Sequence, residues 1–192
     1  MGTGQLGQDG TLSIRAFFGL PVPQAQRQQL EPYLAACAAQ APDFRSTPSA
    51  NLHLTIRFIG NVEPMVAEGI ADRLAEQPLA GFTLELGDVG TFQRGRLVRV
   101  VWLQLRGGAE PARELAALVE AECVGADLVP EARPFQPHLT LARARSRDGN
   151  ELPVLPATPD LPPWRAEELV LYRSHLGRAG AVYEPIRSLR LS

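Results

Sequence analysis

Along the chain, short stretches of period-two hydrophobicity alternate with longer stretches of helical period, separated by Pro- and Gly-rich breaks. Residues 14–20, Ile-Arg-Ala-Phe-Phe-Gly-Leu, predict a first strand closed by Pro21 and Pro23. Residues 24–39 are rich in Ala, Gln and Leu and predict a helix. Residues 41–50 carry Pro42, Pro48 and several Ser/Thr, which predicts a loop. A second strand over residues 52–59 stops at Gly60-Asn61, and a second helix over residues 63–77 has Pro64 in its first turn, where proline is tolerated. Strands are then expected at 82–86 and 97–105, a third helix at 110–123 after Gly107-Gly108, and a strand at 138–142 approached through Pro134 and Pro137. Residues 145–163 read as a long surface loop. The last strands fall within 168–174 and 182–191, joined by a turn around Gly177 and Gly180.

Strands mixed with three helices, rather than alternating strictly with them, favour an α+β fold with largely antiparallel sheet. Residues 13–192 are long enough for one domain of two lobes sharing a core, and the Gly- and Gln-rich residues 1–12 read as a flexible tail. The start of the chain lacks both the basic residues and the apolar run of a signal peptide, and no apolar stretch reaches the ~20 residues needed to span a bilayer. A cytoplasmic monomer is expected. Cys37 and Cys123 lie in Ala-rich helical patterns and read as buried thiols in a reducing compartment. A formal net charge of −2 argues against broad electrostatic binding to duplex nucleic acid, but leaves room for an enzyme that grips one nucleotide end.

The chemistry concentrates in the histidines. Of only three, two sit in nearly the same tetrapeptide, His53-Leu54-Thr55-Ile56 and His138-Leu139-Thr140-Leu141. Two such copies suggest an internal duplication with one strand per half. Strand alternation puts His53 with Thr55, and His138 with Thr140, on one face, while Leu52, Leu54, Ile56 and Phe58, and likewise Leu139 and Leu141, take the other. Two imidazoles across a cleft suit acid–base catalysis near neutral pH, one neutral as base and one protonated as acid. The threonine hydroxyls can donate to phosphoryl oxygens. Two His with two Thr make a poor hard-cation site, so no metal and no cofactor are expected. By parity Arg57 shares the face of His53 and Thr55 and is a candidate phosphate cation, whereas Arg143 falls opposite His138 unless a bulge or the strand's end turns it. The third histidine, His175, reads as a surface or structural residue.

With these residues in view, the chain resembles the 2H phosphoesterase superfamily, and within it the bacterial and archaeal RNA 2′,3′-cyclic phosphodiesterases once called 2′-5′ RNA ligases. The matching stretches are Arg15-Ala-Phe-Phe-Gly-Leu-Pro21, Asn51-Leu-His-Leu-Thr-Ile-Arg-Phe-Ile-Gly60, Val89-Gly-Thr-Phe92, Arg99-Val-Val-Trp-Leu103 and Arg133-Pro-Phe-Gln-Pro-His-Leu-Thr-Leu-Ala-Arg143, followed by residues 169–184. The resemblance implies a bilobed, pseudo-symmetric fold of antiparallel sheets flanked by helices, with a central cleft between the two His-x-Thr strands. It implies metal-independent hydrolysis of RNA 2′,3′-cyclic phosphate ends to 2′-phosphates. His138 would be the proton acceptor that activates water and His53 the proton donor to the leaving 3′-oxygen. Thr55, Thr140 and Arg143 would hold the phosphate, and Phe17 matches an aromatic that could stack a base, with a place in the core as the other reading. The segment before the first motif, Asp43-Phe-Arg-Ser-Thr-Pro-Ser-Ala-Asn51, departs from the family's aromatic-rich pattern and bears on substrate preference. Two other readings remain: the same fold acting on another cyclic phosphate or a 2′-5′ linkage, including reversible ligation, and a non-catalytic RNA-end binding module.

Overall fold

The computed structural model describes residues 5–6, 12–177 and 180–192. Among the described residues, ten strands and three α-helices run in the order β1 (Gln5–Leu6), β2 (Leu12–Pro21), α1 (Gln24–Gln40), β3 (Phe44–Ser46), β4 (His53–Val62), α2 (Pro64–Ala75), β5 (Phe82–Arg94), β6 (Leu97–Gly107), α3 (Ala109–Val124), β7 (His138–Ala144), β8 (Trp164–Ala166), β9 (Glu168–Gly177) and β10 (Gly180–Arg190). All strand pairings are antiparallel. One sheet orders β4-β2-β9-β10, with β1 also paired to β2; the other orders β3-β7-β6-β5-β8. The α+β, two-sheet architecture expected from the sequence is thus the observed one. Most of the tail expected over residues 1–12 lies outside the described residues; within it, Gln5 and Leu6 pair with Ser13 and Leu12.

The two halves are interlocked by their helices. α1 follows β2 of the first sheet but packs on β3 of the second. There Leu34, Cys37, Phe44, Val101 and Leu141 meet. α3 follows β6 of the second sheet but packs on β4 of the first, beside α2. The core faces of β2 and β4 (Ala16, Phe18, Leu20, Leu54, Ile56) meet the buried stripes of α2 (Ala67, Ile70, Ala71, Leu74) and α3 (Leu115, Ala116, Val119, Cys123). Truncating a fully buried member such as Leu54 or Leu139 to Ala would cost about 2–5 kcal/mol. Gly108 opens α3 at φ 82°, where a Cβ would lie 2.3 Å from the Thr83 carbonyl, so no other residue fits this strand-to-helix corner. Among the described residues, no helix is long and apolar enough to cross a membrane.

Two bulges decide what faces the cleft. On β4, Phe18 pairs with Arg57 and Gly19 with Thr55, so Ile56 is the extra residue. On β7, Val101 pairs with Ala142 and Trp102 with Thr140, so Leu141 is the extra residue. Burial follows the same order in both strands: His53 and Thr55, like His138 and Thr140, are half-exposed, whereas Ile56-Arg57 and Leu141-Ala142 are buried as pairs. An extra residue inverts the alternation beyond it. Arg143 therefore returns to the face of His138 and Thr140. Arg57 does not share the face of His53 and Thr55, and Phe58, expected beside Leu52 and Leu54, comes to the cleft side as the register partner of Phe17.

Candidate active site

Each histidine begins its strand and is held by the backbone two residues before it. His53 Nδ1 lies 2.7 Å from the Asn51 carbonyl, and His138 Nδ1 lies 2.7 Å from the Gln136 carbonyl. A carbonyl only accepts, so in both rings Nδ1 carries the proton and donates it. That leaves both Nε2 atoms as the free, basic positions. His53 Nε2 accepts from the Thr55 hydroxyl at 3.0 Å. The Asn51 side chain donates to the Ala181 carbonyl at 2.7 Å, which ties the segment before the first motif to β10.

Aromatic side chains brace both imidazoles. Phe17 packs against His53 with ring centroids 4.7 Å apart, and Tyr183 meets His53 edge-on at 4.9 Å. Tyr172 stacks on Phe17 at 5.0 Å. Across the cleft, Trp102 lies 5.7 Å from His138, and Phe92 meets His138 edge-on at 5.0 Å. Trp102 in turn rests on Gly90, where a Cβ would lie 2.4 Å from the indole ring. Gly19 is less tight: a Cβ there would be 3.1 Å from the Leu54 carbonyl and 3.3 Å from the His53 ring.

The surroundings lower the pKa of both imidazoles. Burial pushes His53 down to about 4; the Asn51 carbonyl works against this, while the charges of Arg143 and His138 add to it. His138 is lowered as well, chiefly by burial, against the Gln136 carbonyl and with help from Arg143. Arg143 thus acts on both rings, and both are neutral at pH 7 with no ligand bound. An anion placed between them would reverse the sign of this environment and favour a protonated imidazole.

Of the residues singled out from the sequence, the structure gathers His53, Thr55, His138, Thr140 and Arg143. It sets two others apart. Arg57 is 9% exposed on the helix-facing side of β4, paired with Glu120 and bonded to the carbonyls of Phe58 at 2.6 Å and Val129 at 2.7 Å. The Ile56 bulge puts it there, so it is no phosphate cation. Phe17 is 2% exposed and braces His53 from below, which leaves no free face for a base. His175 makes a 2.7 Å contact with Glu184 on the opposite face of β9 from Tyr172. Tyr172, Tyr183, Phe92 and Trp102, and the carbonyls of Asn51 and Gln136, were given no role by the sequence. Their signal in the sequence was their place within the stretches that match the family, in strands remote along the chain. Among the described residues, no three His, Cys, Asp or Glu side chains cluster as a metal site would require.

One His-x-Thr strand from each antiparallel sheet is the arrangement expected of a two-histidine phosphoesterase. The sequence profile of the 2′-5′ RNA ligase superfamily matches residues 21–178, and the chain belongs to that superfamily. An RNA 2′,3′-cyclic phosphodiesterase of Aeropyrum pernix is 38% identical over 111 residues, 58% of this chain and 62% of the relative. The RNA 2′,3′-cyclic phosphodiesterase of Escherichia coli is 29% identical over 180 residues, 93% of this chain and 97% of the relative. The crystal structure of E. coli LigT in apo form superposes with a TM-score of 0.81 at 28% identity, covering 95% of this chain and 99% of LigT. LigT complexed with 3′-AMP gives 0.79 at 27%, covering 94% and 99%.

Proposed function

We propose that this chain hydrolyses RNA 2′,3′-cyclic phosphate ends to 2′-phosphomonoesters, with His138 as proton acceptor and His53 as proton donor. The observation that carries the reading is the pair of Nδ1–carbonyl bonds, which leave two Nε2 atoms as the proton-handling positions on either side of one Arg143-bearing cleft. In the reaction a water oxygen attacks phosphorus while its proton passes to His138 Nε2. The P–O3′ bond breaks, and the 3′-oxygen takes the proton from His53 Nε2. Thr55 and Thr140 donate to the non-bridging oxygens, and Arg143 balances the charge that builds on them. The anionic substrate itself raises the pKa of His53, so the acid is charged only when there is something to protonate.

The roles of the two histidines differ in their surroundings. His53 is the more enclosed ring and holds Thr55, which suits a group that delivers a proton to a bound oxygen. His138 has no Nε2 partner among the described residues and is open enough to meet a water. The relatives' names support an RNA end as substrate. A reducing, cytoplasmic setting fits two buried free thiols, Cys37 and Cys123, the latter pushed up by burial to about 11. The enzyme needs no second copy to complete the site, since both motifs come from one chain.

Incubation with an RNA ending in a 2′,3′-cyclic phosphate, in excess chelator, tests the proposal. A 2′-phosphate product at undiminished rate is expected. A 3′-phosphate product, or loss of turnover with chelator, would overturn it.

A further inference from the structure

Beyond the groups that surround the phosphate, the cleft face of the first sheet carries a second constellation. Phe58 stands five residues after His53, as Arg143 stands five after His138 (58 − 53 = 5; 143 − 138 = 5). The bulge at Ile56 turns Phe58 to the cleft side, where it is 38% exposed. The Arg15 guanidinium lies over its ring, 4.4 Å from the centroid. Arg15 comes from β2, two residues before Phe17 and so on the same face. Among the described residues no ion pair is found for Arg15, whereas Arg57, one position before Phe58, is fully engaged on the other side.

We infer that Arg15 and Phe58 form a subsite for the nucleotide that precedes the cyclic-phosphate end, Phe58 stacking its base and Arg15 neutralising the linking phosphate. The inference rests on the proposed placement of the cyclic phosphate between His53 and His138. An aromatic face with a guanidinium over it is the combination that single-stranded nucleic acid recognition uses, because every base has a π-face and every link a negative charge. Position supports the assignment. Thr55 and Phe58 lie opposite Gly19 and Phe17, two positions apart on β2, or about 7 Å at ~3.3 Å per residue. That spacing sets the pair beside the terminal phosphate, one step further along the strand. The equivalent place in the other half holds Arg143, committed to the phosphate. The duplication has thus used one position for the reacting group and its twin for the chain leading to it. A mononucleotide would not touch this pair; a longer RNA would.

The test compares kcat/KM for a nucleoside 2′,3′-cyclic phosphate and for a short oligonucleotide with the same cyclic end, in the native chain, Arg15→Gln and Phe58→Leu. Both positions are exposed or half-exposed, so both variants should fold. The native chain should favour the oligonucleotide, and each variant should lower the oligonucleotide-to-mononucleotide ratio by about tenfold, in line with base stacking on an aromatic side chain. The double variant should lose less than the product of the two, since the side chains act as one platform. No oligonucleotide preference in the native chain, or an unchanged ratio in both variants, would overturn the subsite while leaving the proposed reaction standing. No turnover of either substrate by the native chain would overturn the reaction and the subsite with it.

Discussion

In the first half, His53 is enclosed by Phe17, Tyr172 and Tyr183, its Nε2 accepts from Thr55, and burial drives its pKa to about 4. In the second half, His138 leans on Trp102 and Phe92, stays more open, and is also lowered, chiefly by burial. Both halves share the carbonyl that fixes Nδ1, the threonine two residues on and the bulge that follows. They part after the bulge: Arg57-Phe58 in one, Ala142-Arg143 in the other. The two halves share what sets the geometry of an imidazole and differ in what surrounds it. That is the division a reaction with one acid and one base requires.

Removing either ring should break the pairing most severely. His53→Ala and His138→Ala should each lower kcat/KM for a cyclic phosphate by about 10²–10⁴-fold, the usual span for a general acid or base. The double variant should be little worse than the worse single one, because the two act as a unit. Fully additive losses in steady-state kinetics would show two independent groups.

The next contrast lies in the residues behind the bulges. Arg57→Met takes the buried cation from Glu120, which keeps the Glu131 N–H, and the donor from the Val129 carbonyl, and should cost about 3 kcal/mol in urea unfolding. Ala142→Gly, its counterpart, should cost about 1 kcal/mol or less. Equal costs would show that the two halves are braced alike. Among the glycines, Gly90→Ala drives a Cβ into the Trp102 ring and should move the support of His138, lowering kcat by up to about 10²-fold. Gly19→Ala meets only looser neighbours at 3.1–3.3 Å and should lower it less. A larger effect at Gly19 would reverse the ranking of the two sites.

The smallest effect is a shift in titration. Unfolded His53 takes up its proton near pH 6.5 and folded His53 only near 4, so between those values the unfolded chain binds more protons. Stability of the empty protein should therefore fall as pH drops through this window. Inorganic phosphate should raise the His53 pKa more than that of His138, read from imidazole proton shifts by NMR. Equal shifts would remove the asymmetry between the rings.

Much of this was legible in the sequence because strand alternation and repeated motifs are local signals. The two His-x-Thr strands, the three helices and the antiparallel sheets follow from them. What stayed hidden depends on pairing across strands. β3 and β8 have three residues each, too few for a period to register. β5 runs on to Arg94, well past the strand expected at 82–86; Gly90 is there to admit the Trp102 ring, a partner across the sheet. The bulges at Ile56 and Leu141 exist only relative to β2 and β6, so simple parity put Arg57 in the cleft and Arg143 outside it, the reverse of the structure.

The acid and base assignments can be separated by a substrate whose 3′-oxygen is replaced by sulfur. A thiolate leaves without a proton, having a pKa near that of cysteine, about 8.5. With this cyclic phosphorothiolate, His53→Ala should regain most of the native rate while His138→Ala stays inactive. Rescue of His138→Ala instead, or of neither, would contradict the division of labour between the two halves.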